Sequence, residues 1–344
     1  MTDKVEPVAG TPAFWWVKPG WPSACLAPLS ALYGWISGRR MRGPAGFRAP
    51  VPVLCIGNFT LGGAGKTPTA IALARAARDE GIRIGFLSRG YGGTLSGPAV
   101  VEAGKHTAKE VGDEPLLLAR EALTVISRTR VEGARLLAEK GVDLIIMDDG
   151  FQSARVHADF ALVVVDARRG IGNGRVFPAG PLRAPLETQM NAASALLLVG
   201  EGQAGEAFAK NVSRPVHCAR LVPAPSPTVE GQSVLAFAGI ADPAKFHRTL
   251  AEMGAQIALA RNFADHAQLS DAEIEALLAD ADQAGLKLVT TAKDAARLMG
   301  RQGVASRLLD RVTVIEVEMA FQDATVPTAL LKAALAAGKQ RLSA

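Results

Sequence analysis

Val53-Leu54-Cys55-Ile56-Gly57-Asn58-Phe59-Thr60-Leu61-Gly62-Gly63-Ala64-Gly65-Lys66-Thr67-Pro68 is the stretch from which the fold is read. An apolar strand enters a glycine-rich turn, meets Gly-Lys-Thr, and continues into a helix whose opening turn carries Pro68. Such a turn aims backbone N–H groups and a helix N-terminus at one point, which suits nucleotide phosphates, ATP or GTP. Gly62, Gly63, Ala64 and Gly65 keep bulky side chains out of the cradle, Lys66 is expected at the β- and γ-phosphates, and the Thr67 hydroxyl at Mg²⁺. Thr60 stands where the strict G-x4-G-K-T pattern has glycine, so Gly62 and Gly63 must supply that freedom. Pro68 suits a first helical turn, and the helix is predicted to run through Thr69 to Glu80 and stop at Gly81. The plain alternative is a glycine-rich turn that only joins a strand to a helix.

The pattern then repeats. Ile82 to Leu87 is an apolar run ending in Ser88-Arg89-Gly90-Tyr91-Gly92-Gly93. Leu123 to Ile126, a helical segment Val131 to Lys140, Asp143 to Met147 before Asp148-Asp149-Gly150-Phe151-Gln152, and Phe160 to Val165 before Asp166 follow. Strand, helix, strand predicts a parallel sheet, whose C-terminal strand ends gather their loops along one edge beside the cradle. After the Pro-rich segment Val222 to Thr228 a second series begins: strands Ser233 to Phe237, Gln256 to Asn262 and Lys287 to Thr291, and helices Pro243 to Met253 and Asp271 to Ala284. The expected organisation is a membrane-associating segment 1–48, a P-loop NTPase-like α/β domain 49–228, and a smaller α/β domain 229–344 with a C-terminal helix. The small domain carries Asp265-His266 and Thr291-Ala292-Lys293-Asp294, placed to face the active edge if the two domains close.

A chain of 344 residues, 49% hydrophobic, is long enough for two cores. Three cysteines without metal spacing predict no disulfide framework and no zinc site. A net charge of +5 with no finger, aromatic RNP motif or long basic run gives nucleic acid no support, and no obligate protein partner is inferred.

All four tryptophans lie at positions 15, 16, 21 and 35, among Phe14, Leu26, Leu29, Leu32, Tyr33 and Ile36, and Arg39, Arg40 and Arg42 follow. The apolar part, Ala24 to Ile36, is shorter than the ~20 residues of a spanning helix and is interrupted by Pro28 and Gly34. It reads as an interfacial helix in peripheral contact with membrane lipid; the alternative is a helix packed on the protein's own core.

Leu144 to Met147 ending in Asp148-Asp149 has the form of a Walker B strand, so Asp148 and Asp149 are the expected metal acids. Gly112-Asp113-Glu114-Pro115 precedes Leu116-Leu117-Leu118; Asp113 is either a helix cap or the carboxylate that orients an acceptor hydroxyl, with Glu114 near the metal. His266 is either a surface loop residue or a member of the site. Arg89, Arg128, Arg130 and Arg183 sit in strand-end loops where phosphate could be neutralised.

Together, Gly57-Asn58, Gly62 to Pro68, Ser88 to Gly93, Gly112 to Pro115, Asp148 to Gln152 and Gly180-Pro181-Leu182-Arg183 resemble the tetraacyldisaccharide 4′-kinase family. Phe263-Ala264-Asp265-His266 and Thr291-Ala292-Lys293-Asp294 extend the likeness over nearly the whole chain. The resemblance implies ATP- and Mg²⁺-dependent phosphorylation of the 4′-hydroxyl of an acylated glucosamine disaccharide 1-phosphate, a lipid A precursor, at the cytoplasmic face of the bacterial inner membrane. It implies that Lys66 and Thr67 bind ATP and Mg²⁺, that Asp148 and Asp149 lie near the metal, and that Asp113 activates the sugar hydroxyl assisted by His266. Arg89, Tyr91 and Arg183 are implied on the substrate side, Gln152 and Arg130 on the nucleotide or phosphate side. Ser153 stands where many relatives have His after the Gln, and Ala267 where some have a second His.

The rival from another class is a nucleotide-switch or partitioning ATPase acting on a protein partner. Such proteins often have Lys where Leu61 stands, and GTPases use an Asn-Lys-x-Asp that is absent here.

Overall fold

The structure is a computed structural model that describes residues 11–43, 46–225 and 228–343. The first ten residues of the N-terminal segment and residues 226–227 of the Pro-rich linker lie outside the described residues. The strands are β1 (Val53–Gly57), β2 (Ile84–Ser88), β3 (Ala99–Val100), β4 (Leu123–Ile126), β5 (Leu144–Asp148), β6 (Phe160–Asp166), β7 (Ala195–Val199), β8 (Val216–Pro223), β9 (Ser233–Ala238), β10 (Gln256–Asn262), β11 (Lys287–Thr291), β12 (Thr313–Ile315) and β13 (Val317–Phe321).

The larger sheet has the order β13-β8-β7-β6-β1-β5-β2-β4-β3, parallel throughout except for β13 and β3 at its edges. Every residue of β1 is buried, because helices cover both faces of a parallel sheet. Leu54 and Ile56 face the core under helix Lys66–Asp79 and helix Val326–Ser343. Val53 and Cys55 face the opposite layer, which includes Ala134 and Leu137 of helix Arg130–Glu139. Strand β1 lies between β5 and β6, with Ile56 opposite Asp148 and Gly57 opposite Val163. The connection from β1 goes to one side and that from β6 to the other, so the loop after β1 sits where the strand order reverses, the crevice in which such sheets bind ligands. At Gly57 the backbone meets the turn after β5: a Cβ there would fall 2.2 Å from Phe151 Cβ.

The smaller sheet, β10-β9-β11-β12, is parallel as well. Its helix Asp271–Ala284 opens on a Ser270/Glu273 capping box and stops at Gly285 in the left-handed region. This sheet ends at Ile315, which corrects the expectation that residues 229–344 form one small domain. Strand β13 returns to the larger sheet, antiparallel to β8, and helix Val326–Ser343 packs on the P-loop helix and β1. The physical reason lies in the apolar face Val326, Leu330, Leu331 and Ala334, which completes the core over β1.

At the N-terminus the two sequence readings divide by residue. Trp15 and Trp16 are buried, Trp15 donating through Nε1 to the Pro178 carbonyl at 2.9 Å, and Arg169 lies over the Trp16 ring. These two tryptophans therefore belong to the protein's own packing, a correction to their reading as interfacial residues. Helix Ala27–Arg42 is different. Ser30, Gly34 and Gly38, four residues apart, face inward; Ser30 Oγ donates to the Val176 carbonyl at 2.6 Å, and Gly34 and Gly38 rest against Pro185. Leu29, Leu32, Tyr33, Trp35 and Ile36 fill the opposite arc and are exposed. Among the described residues, no helix is long and apolar enough to cross a membrane.

Candidate active site

The loop after β1 is shaped by its own residues. Gly62 (φ 107°) and Gly65 (φ 97°) occupy the left-handed region, which explains glycine there, whereas a Cβ on Gly63 would meet nothing within 4 Å. The freedom missing at Thr60 thus resides at Gly62 and Gly65, while Gly63 leaves open space above the loop. Helix Lys66–Asp79 starts directly at Lys66, with Thr67 and Ala64 buried beside it, so Pro68 lies in its opening turn as expected. The buried Asn58 ties the loop together: its Nδ2 donates to the carbonyls of Thr60 (2.6 Å) and Gly62 (3.0 Å), and its Oδ1 accepts from Lys66 Nζ at 3.2 Å. Sequence reasoning gave Asn58 no role. Its position one residue after the strand was the available signal.

Asp148 ends β5 and Asp149 follows it with φ 52°. They are electrostatic opposites. Burial, and then the charge of Glu114, pushes the Asp148 carboxyl up to about 7, and its Oδ1 has no hydrogen-bond partner. Burial also opposes ionisation of Asp149, but Lys66 and Arg183 outweigh it and hold that carboxyl at about 2. Lys66 Nζ lies 3.5 Å from Asp149 Oδ1, and Arg183 Nη1 donates to the same oxygen at 3.0 Å. Arg183 Nε donates to the Thr60 carbonyl at 3.2 Å. Arg183 was expected among the substrate contacts; here it engages Asp149 and the loop backbone, an anion lying within its reach.

Gln152 and Arg130 are likewise placed behind the loop. Gln152 Nε2 donates to the Asn58 carbonyl (2.7 Å) and to Gln189 Oε1 (3.0 Å), bracing the cradle from its back. Arg130 donates from Nη2 to the Asp149 carbonyl at 2.6 Å, and its buried Nε has no partner; burial lowers its pKa. Both were expected on the nucleotide or phosphate side; their bonds here support the turns that frame the cradle.

The smaller sheet's loops close the cleft from the other side. Asp113, 4% exposed, opens helix Asp113–Leu118 and accepts at Oδ1 from the Glu114 N–H at 3.0 Å. His266 Nδ1 is 3.3 Å from the same oxygen, and Arg297 donates to Oδ2 through Nε (2.9 Å) and Nη2. Burial raises the Asp113 pKa, but the His266 hydrogen bond and the Arg297 and Lys293 charges outweigh it and hold this carboxyl well below the usual range. The His266 imidazole is in turn raised, first by its hydrogen bond to Asp113. His266 has φ 59°, is 28% exposed on its side chain, and stands edge-on to the Tyr91 ring at 5.3 Å. Arg89 and Tyr91 after β2 are exposed at this same edge. Lys293 Nζ meets Glu114 Oε1 at 2.6 Å, and that charge lowers the Glu114 pKa. Glu114 was expected near a metal; its carboxylate faces Lys293, and its charge also acts on Asp148.

Among the described residues no cluster of three or more His, Cys, Asp or Glu side chains could hold a metal by itself. Mg²⁺ characteristically binds through one or two carboxylates, with phosphate oxygens and water completing its shell. The unpartnered, buried Asp148 oxygen near the Thr67 turn fits that demand, because no protein cation is bonded to it.

The chain resembles known proteins over most of its length. The family model for LpxK, tetraacyldisaccharide-1-P 4′-kinase, matches residues 22–335. The tetraacyldisaccharide 4′-kinase of Agrobacterium fabrum is 55% identical over 338 residues, covering 97% of each chain. That of Allorhizobium ampelinum is 55% identical over 329 residues, 93% of this chain and 95% of its own. A crystal structure of LpxK from Aquifex aeolicus, described as an apo form in complex with ATP, superposes with a TM-score of 0.71 at 27% identity, over 92% of this chain and all of that one. With the cradle, the acidic strand end and the Asp113–His266 pair along one edge, and relatives matched nearly end to end, the chain belongs to the tetraacyldisaccharide-1-phosphate 4′-kinase family.

Proposed function

We propose that this protein transfers the γ-phosphoryl group of ATP to the 4′-hydroxyl of a tetraacyldisaccharide 1-phosphate, giving the bisphosphorylated lipid A precursor and ADP. The observation that carries the reading is the Asp113–His266 pair, contributed by two different sheets and set on the same edge as Lys66 and Asp148. In this reading Gly62, Gly63, Ala64 and Gly65 present their backbone to the triphosphate, and Lys66 neutralises its β- and γ-oxygens. Thr67 and Asp148 would hold Mg²⁺, with Asp149 beside them; the ion supplies charge neutralisation of the triphosphate.

Proton removal belongs to the imidazole. Asp113 is buried and engaged by Arg297, Glu114 N–H and His266, so it is a poor proton acceptor and a good anchor for the Nδ1–H of His266. The more exposed His266 then takes the acceptor proton on Nε2 while the 4′-oxygen forms its bond to phosphorus and the bond to the ADP oxygen breaks. This inverts the expected order, in which Asp113 acted on the hydroxyl and His266 assisted. Arg89 and Tyr91, exposed beside His266, are the proposed contacts of the disaccharide. The outward arc of helix Ala27–Arg42, with Arg39 and Arg40 at its end, supports peripheral docking on the lipid surface that holds the acyl chains, at the cytoplasmic face of the inner membrane.

The test is incubation of the protein with ATP, Mg²⁺ and the tetraacyldisaccharide 1-phosphate, followed by mass spectrometry of the lipid. One added phosphate at the 4′ position is expected. ATP turnover that needs no lipid acceptor would favour the nucleotide-switch alternative.

A further inference from the structure

We propose that Arg297 is a positioning residue for phosphoryl transfer: a cation from the smaller sheet's lobe that fixes both halves of the Asp113–His266 pair. The pair exists only when the two lobes are docked. This rests on the reading that Asp113 and His266 serve the acceptor hydroxyl.

Arg297 and Asp113 are 184 residues apart in sequence and are 5% and 4% exposed on their side chains. Nε and Nη2 of Arg297 donate to Asp113 Oδ2, leaving Oδ1 for His266. Nη1 donates to the Gly239 carbonyl at 2.6 Å and to Asp294 Oδ1 at 2.8 Å. The Gly239 carbonyl also accepts the backbone N–H of His266 at 3.1 Å. One guanidinium therefore holds the carboxylate directly and the backbone of the histidine through a shared oxygen. Its own orientation is set from behind: Asp294 accepts from the Gly239 N–H (3.0 Å) and from Thr291 Oγ1 (2.6 Å). That accounts for the Thr291 to Asp294 motif, whose Asp holds the arginine and whose Lys293 takes the neighbouring Glu114.

Helix spacing explains the double contact. Lys293 and Arg297 are one turn apart on helix Ala292–Leu298 and so project from one face toward the adjacent carboxylates Glu114 and Asp113. A buried ion pair returns little net stability, because desolvation of both charges offsets their attraction. Stability alone is thus a weak reason for this arrangement, whereas fixing a reacting pair to within a fraction of an ångström is worth large factors in rate. Lysine could not replace the planar fork, since it cannot hold Asp113 and the Gly239 carbonyl in one rigid plane.

The experiment is a double-mutant cycle on the full chain with ATP, Mg²⁺ and the lipid acceptor, using Arg297→Met, Asp113→Asn and both together. Arg297→Met is expected to lower kcat about a hundredfold, with KM for ATP and the number of nucleotides bound unchanged. The double variant is expected to lose far less than the product of the two single losses, since Arg297 acts mainly through that carboxylate and only its hold on the Gly239 carbonyl is left to lose. Losses that multiply in the double variant, or an Arg297→Met enzyme with wild-type kcat, would overturn the proposal. If Arg297→Met fails to fold because Asp113 is left unpaired, the neutral double variant still decides the matter by comparison with Asp113→Asn. The underlying reading fails separately: full activity in Asp113→Asn would remove Asp113 from the reaction and this proposal with it.

Discussion

Replacing Trp21, Leu29, Leu32 and Trp35 together by serine should release the protein from lipid while leaving its fold intact. These side chains are 79%, 59%, 56% and 61% exposed, so they expose about two and a half side chains' worth of apolar surface to solvent. At about 1.5–3 kcal/mol for a fully buried large side chain, transfer of these four side chains into the lipid boundary contributes about 4–8 kcal/mol at full immersion. A helix lying in the interface sinks only part of its circumference. Half the lower bound, about 2 kcal/mol, still changes partitioning about thirtyfold. Arg39 and Arg40 remain in the variant and add about 1 kcal/mol each on an anionic surface. Co-sedimentation with vesicles is the assay, run on zwitterionic lipid to isolate the apolar part and on anionic lipid to measure the rest. The variant should stay in the supernatant with zwitterionic vesicles and keep a weak, salt-sensitive attachment to anionic ones. Its thermal midpoint should match the wild type, because the inward face is made by Ser30, Gly34 and Gly38. Equal sedimentation of variant and wild type would refute the reasoning.

Three further outcomes follow from particular contacts. The raised pKa of His266 means that the imidazole stays protonated into the pH range above its ordinary 6.5, so kcat should rise with pH through that raised value. Asp113→Asn removes the main cause and should move the limb to lower pH with a lower plateau; a pH–rate profile that keeps its midpoint would count against the imidazole as proton acceptor. The same pair stabilises the fold fully below pH 6.5, and that contribution fades as pH rises through the folded-state value. Arg341→Met should destabilise by about 3–5 kcal/mol, because it leaves the buried Asp159, now bonded at 2.5 Å to Arg341 Nε, without its cation; a shift in urea midpoint worth less than about 1 kcal/mol would show that the Val53 N–H at 2.8 Å suffices for Asp159. Gly57→Ala should cost about 1–3 kcal/mol by forcing the new methyl against Phe151, and should weaken ATP binding through the turn that carries Asp149. Unchanged affinity in a calorimetric titration would refute that link.

Most of the large sheet was legible because local pattern and position agree there. Apolar runs that end in glycine or charged residues read as strands, and β1, β2, β4, β5 and β6 fall where those runs lie. Strand β13 was not legible: Val317 to Phe321 is five residues long and nothing in them tells which of two sheets they join. Helix Ala27–Arg42 was read from its large residues, while the evidence for which face it turns outward lay in the small ones at 30, 34 and 38. Trp15 and Trp16 were misread because a tryptophan's preference for an interface is outweighed when a carbonyl and a guanidinium wait inside the protein. Among site residues, Lys66, Asp113, Asp148 and His266 carried type and spacing. Asn58, Arg297 and the bonds of Arg183 to Asp149 and Thr60 did not, since each depends on a partner far away in sequence or on the three-dimensional course of a loop.

Strands β8 and β13 run side by side, with Pro223 opposite Val317, and the polypeptide departs from one and comes back through the other. Topologically the entire smaller lobe is therefore a hairpin connection of unusual size, anchored at a single doorway. A short turn bridging residues 223 and 317 would leave the nucleotide-binding body with every one of its strands, able to grip a triphosphate yet deprived of His266 and Arg297. On the proposed roles of those two residues, chemistry and phosphate capture would part at one pair of neighbouring positions.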